Sequence, residues 1–91
     1  MPKNETERII RDFIVDNYVY RAGADTIERE DSFLALGLID SVGILELVAF
    51  VEETFAIRMA DEELVPENLD SIARLTAYIE RELATRLPDM S

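Results

Sequence analysis

The 91-residue chain contains no histidine and no cysteine. Without imidazole there is no Ser-His pair, no His-activated nucleophile and no His-containing metal site. Without cysteine there is no disulfide and no thiolate of the chain's own, which fits a reducing compartment. Bases are scarce, nine against 20 acids, and the net charge is −11. Such a surface repels nucleic acid and anionic membranes and favours proteins with basic patches. No apolar run reaches transmembrane length, and the N-terminal M-P-K-N-E-T-E-R lacks the apolar core of a secretory signal. No two carboxylates are paired with an evident pocket. No catalytic residue and no metal ligand is therefore expected.

What remains is enough to fold. Apolar residues make up 48% of the chain, which suits one compact core and not a disordered polymer. Neither repeats nor a linker divide the sequence, so residues 1–91 read as a single domain with its core at about 5–86. Residues 4–18 carry Ile9, Ile10, Phe13, Ile14 and Tyr18 at helical spacing, with Asn4 and Glu7 placed as a capping box. Residues 19–39 show no sustained period and hold two of the three glycines. They read as a long ordered loop with one short turn at Ser32–Leu36, tied to the core by Phe33, Leu36, Leu38 and Ile39. A second helix is expected from about Ser41 to Phe55, then a connector at Ala56–Met59 and a turn at Asp61–Val65 stopped by Pro66. Asp70 or Ser71 can cap a last helix to about Arg86, with Ile72, Leu75, Thr76 or Ala77, Ile79 and Leu83 inward. The fold class is all-α, a four-helix bundle of three longer helices and a short one.

The second helix carries more apolar surface than one buried face requires. At about 100° per residue, Ile44, Leu47, Val48, Val51 and Phe55 complete an inward stripe. Val42, Leu45 and Ala49 fall on the other side with Glu46, Glu52 and Glu53, and Phe50 lies at the flank. Residues 40–63 hold seven acids and one base, Arg58, a net −6 and over half the charge of the chain. An apolar strip rimmed by carboxylates reads either as a deeply buried helix or as a docking face.

Asp40 and Ser41 stand at the start of this helix. Both residue types are ordinary N-caps. A helix N-terminus also presents unpaired N–H groups and the positive end of the dipole, which favour a phosphate. Local sequence leaves cap and attachment point both open.

The segment L-G-L-I-D-S-V-G-I-L-E-L-V-A-F-V-E-E-T-F resembles the prosthetic-group site of acyl carrier proteins and of related aminoacyl and peptidyl carriers. The likeness extends upstream through D-S-F-L-A-L-G. Downstream it runs through F-A-I-R-M-A-D-E-E-L-V-P-E-N-L-D-S-I-A-R-L-T-A-Y-I, so that it covers roughly residues 5–85. The resemblance implies 4′-phosphopantetheine, derived from coenzyme A, on Ser41. It implies that Asp40 is the acid read by the phosphopantetheinyl transferase and by partner enzymes. Glu46, Glu53 and Asp61 match acidic partner contacts, and Val42, Leu45 and Ala49 match apolar ones. It further implies a non-catalytic, free-standing monomer in the cytoplasm, carrying an acyl or aminoacyl group as a thioester. Its partners would be a loading ligase and downstream transferases with basic docking patches, in fatty-acid, polyketide or specialised biosynthesis. Two residues depart from the fatty-acid carriers, Gly43 in the first turns and the bulky Phe50. The alternative reading is an acidic helical interaction module with no covalent group.

Overall fold

The computed structural model describes residues 3–19 and 27–86. Among the described residues there are five α-helices: α1 Lys3–Ile14, α2 Phe33–Leu36, α3 Ser41–Phe55, α4 Pro66–Leu69 and α5 Ile72–Arg86. A π turn, Val15–Val19, continues α1, and a 3-10 turn, Asp61–Glu63, precedes α4. Among the described residues there is no strand. The expected all-α architecture is the observed one, with two short helices, α2 and α4, where one was expected, and with one correction. Pro66 does not merely stop a turn; it opens α4, where its missing N–H costs nothing because first-turn amides have no intrahelical acceptor.

The core is built from the expected stripes. Ile10, Ile14 and Tyr18 from the α1 segment meet Leu47, Val48, Val51 and Phe55 of α3 and Ile72, Leu75, Thr76 and Ile79 of α5. Of the two alternatives on α5, Thr76 is the buried one and Ala77 is exposed. Tyr78, absent from the expected face, is buried as well, and its hydroxyl donates to Glu63 Oε1 at 2.8 Å.

The segment before α3 is fastened by hydrogen bonds as much as by apolar contact. Phe33 and Ile39 are buried as expected and Leu38 packs partly against the core, but Leu36 is 54% exposed and ties nothing. Its place is taken by polar groups. Ser32 caps α2 by accepting from the Ala35 amide at 3.0 Å and donates its own proton to Asp70. Asp70 Oδ1 accepts from Leu34 N at 3.0 Å. Asp70 therefore holds α2, while Ser71 caps α5 through the Arg74 amide. Earlier in the same segment Arg29 grips Glu7 of α1 with two bonds, of 2.9 and 3.0 Å, and its carbonyl accepts from Ala73 N at 2.7 Å. The expected capping role of Asn4 lies outside the described side chains.

Candidate functional site

Two backbone devices present the start of α3. Gly37 ends α2 with φ of 69°, a left-handed conformation that a Cβ disfavours, and Asp40, three residues on, has an extended backbone. Asp40 is the N-cap: its Oδ1 accepts from the Gly43 amide at 2.8 Å, and its carbonyl accepts from Ile44 N at 2.9 Å. Ser41 becomes the first helical residue, exposed to solvent. The cap reading of Asp40 is thus correct, and it leaves the Ser41 hydroxyl outside the capping bonds.

Ser41 borders an apolar groove of about 300 Å³, lined also by Leu34, Ile44, Leu64, Val65, Pro66, Leu69 and Asp70. Asp40 lines a different, more polar groove of about 400 Å³ with Asn17, Tyr18, Val42, Gly43 and Glu46. The two adjacent residues therefore serve opposite flanks of the same helix end. With the Gly43 amide held by Asp40, the first-turn amides of Ser41 and Val42 remain without intrahelical acceptors. An exposed serine at the first helical position beside two such amides suits a phosphodiester.

The outward residues of α3 are where the periodicity put them. Val42 is 66% and Leu45 62% exposed, and Glu46, Ala49 and Glu53 are exposed as well. Glu46, Ala49 and Glu53 share a groove with Phe13, Asn17 and Phe50. Asp61 is exposed too, but on the separate 3-10 turn. Glu52 departs from the expected pattern. Its carboxylate accepts from Met59 N at 2.8 Å, fastening the connector after α3, so it belongs to the fold and not to the outward face.

Two site residues escaped the sequence reading. Gly43 is buried, and a Cβ there would sit 2.8 Å from Ile39 Cγ2 and 3.5 Å from the Tyr18 ring. Its small size serves packing inside the molecule. Tyr18, expected only as a core residue, sends its hydroxyl to Glu46 Oε1 at 3.1 Å. No sequence signal connects positions 18 and 46. Phe50 stacks on Phe13 with ring centroids 3.9 Å apart, filling the space between α1 and α3.

Comparison with known proteins decides the family. Residues 19–79 match the family model described as the phosphopantetheine attachment site. The chain belongs to the phosphopantetheine-binding acyl carrier family. It is 36% identical over 81 residues to an acyl carrier protein of Akkermansia muciniphila, covering 89% of this chain and 96% of that one. It is 35% identical over 63 residues to a D-alanyl carrier protein of Abiotrophia defectiva, covering 66% and 80% of the two chains. The crystal structure of an acyl carrier protein from Thermotoga maritima superposes with a TM-score of 0.63 at 27% identity, over 88% of this chain and 93% of that one. The protein is a carrier that holds its cargo on covalently bound 4′-phosphopantetheine. Among the described residues no helix is long and apolar enough to cross a membrane.

Proposed function

We propose that Ser41 is the residue modified, and that residues 1–91 act as one non-catalytic carrier domain. The single observation that carries the reading is the exposed Ser41 hydroxyl at the first position of α3, beside an apolar groove. The group it accepts supplies a thiol, which holds a carboxylic acid as a thioester. The chain's own residues prepare the acceptor. Asp40 starts the helix so that Ser41 is its first residue, and the first-turn amides stabilise a phosphodiester at Oγ. Among the described residues no side chain is hydrogen-bonded to the Ser41 hydroxyl to take its proton. Histidine is absent and the Asp40 carboxylate is engaged with Gly43, so the modifying transferase must supply the base.

Docking uses the exposed strip Val42, Leu45 and Ala49 with Glu46 and Glu53 at its rim, and Asp61 nearby in the chain. The partners are a phosphopantetheinyl transferase, an acyl- or aminoacyl-loading ligase and downstream transferases, each offering basic groups. Rim charges set the association rate and its salt sensitivity, which suits a carrier that must leave every enzyme. The Phe13–Phe50 stack occupies space between α1 and α3, which favours a short acyl or aminoacyl cargo over a long buried chain. A cytoplasmic location follows from a reducing environment for the thiol. Family membership sets aside the alternative of an interaction module without a covalent group.

The test is mass spectrometry after incubation with coenzyme A and a broad-specificity phosphopantetheinyl transferase. Wild type should gain the mass of one phosphopantetheine group and Ser41→Ala none. A gain that persists in Ser41→Ala moves the attachment elsewhere.

A further inference from the structure

The polar groove on the Asp40 side of α3 contains a contact that docking by α3 alone does not explain. Tyr18 belongs to the π turn after α1 and is 7% exposed, its ring packed edge-on against Phe13 at 5.9 Å. Its hydroxyl emerges at the foot of α3, with Glu46 Oε1 at 3.1 Å and the Gly43 carbonyl at 3.3 Å. One phenolic proton serves both acceptors. Gly43 lies directly beneath this contact: a Cβ there would touch the tyrosine ring at 3.5 Å and meet the Ile39 methyl at 2.8 Å. The turn itself is anchored: the Asn17 side-chain amide donates to the Phe13 carbonyl at 2.9 Å.

From this geometry we infer that Tyr18 is a positioning residue for partner docking. It orders the Glu46 carboxylate on the exposed face of α3 before a partner arrives. The inference rests on the proposed role of Glu46 as a docking carboxylate and extends it to a residue of another helix. A free glutamate samples many rotamers and must lose that freedom when a guanidinium or ammonium group binds it. A hydrogen bond from a packed tyrosine moves part of that loss into folding, so less is subtracted from docking. Glu46 is exposed, and Oε2 is left for the partner. If a partner draws the carboxylate aside, the Gly43 carbonyl still accepts the buried hydroxyl's proton, so release strands no polar group. Among the described residues no comparable bond from a buried side chain reaches Glu53, which provides an internal control.

The experiment is a double-mutant cycle read as KM and kcat for modification of the full chain by a phosphopantetheinyl transferase. Tyr18→Phe keeps the ring and removes the hydroxyl. It should raise KM about threefold to tenfold with kcat unchanged. In the Glu46→Ala background the same change should have no further effect, whereas in the Glu53→Ala background its effect should persist. Comparing ratios cancels any common loss of folded protein. A Tyr18→Phe KM equal to wild type while Glu46→Ala raises KM overturns the positioning role and leaves the docking role standing. An equal effect of Tyr18→Phe with and without Glu46 also overturns it, because the tyrosine then acts only through the fold. A Glu46→Ala KM equal to wild type removes the docking role and this inference together, while modification of Ser41 would still stand.

Discussion

Leu47 and Leu45 stand two residues apart on α3, the first with no exposed surface and the second 62% exposed. Both are leucines in one helix, yet one closes the core with Val51 and Phe55 while the other lies beside Glu46 and Glu53 in solvent. The inward face is uniformly apolar. The outward face alternates apolar groups with carboxylates and contains no base. The difference separates what a helix needs in order to fold from what it leaves exposed, the strip proposed above for docking. Retaining exposed leucine and valine on a small, highly charged protein makes physical sense where a partner covers them transiently.

The most direct way to break this comparison is to truncate each leucine. Leu47→Ala should cost about 2–5 kcal/mol, through lost transfer energy and the cavity left in the core. Leu45→Ala should change stability by no more than about 0.5 kcal/mol, as surface substitutions do. Urea denaturation followed by circular dichroism measures both, and similar values for the two would erase the distinction between the faces. Gly43→Ala should fall between them. Its Cβ must displace the Ile39 methyl, at about 1–3 kcal/mol of overpacking, although alanine is by itself the better helix former. A Gly43→Ala variant as stable as wild type would show that the front of α3 packs more loosely than described.

The smallest expected effect concerns the turn before α4. The Ala60 amide, and then the Tyr78 hydroxyl, hold the Glu63 carboxyl below its ordinary value of 4.5. Burial, and then the bond to Glu63, push the Tyr78 hydroxyl above its ordinary 10.0. A depressed carboxyl contributes stability above its unfolded value and loses it as pH falls through the folded one. A raised phenol contributes below its unfolded value and loses it as pH rises towards the folded one. The difference in Tm between wild type and Tyr78→Phe should therefore be constant between these limits and shrink below pH 4.5 and above pH 10.0. A difference that stays constant across the whole range would mean that Tyr78 contributes through packing alone.

Much of the candidate site is legible in the sequence because its signals are local. The three-and-four spacing of Ile44, Leu47, Val48, Val51 and Phe55 fixes which side of α3 is inward, and so which residues are left over. Asp40 before a helical run is a cap in isolation and remains one in the fold. What could not be read were pairings between distant positions. Glu52 looked outward by projection, but the chain after Phe55 turns back through Ala56 in a left-handed conformation and brings the Met59 amide to it. Leu36 looked like an anchor by composition, yet the Ser32–Asp70 bond across 38 positions does that work. Gly43 stood out only as a departure from the fatty-acid carriers, and its neighbours reveal why a side chain does not fit.

The sequence by itself determined the three long helices, the inward stripe, the acidic surround of α3 and the serine set at its start, because each depends on composition, periodicity and caps a few residues apart. The tertiary structure alone decided that Tyr18 reaches Glu46, that Asp70 holds α2, and that Ser41 and Asp40 open onto different grooves. Those contacts bridge 28, 38 and 36 positions in the hydrogen bonds of Tyr18 and Asp70, and no local propensity encodes them. They arise when burial of the shared core brings the segments together and their remaining polar groups must find partners.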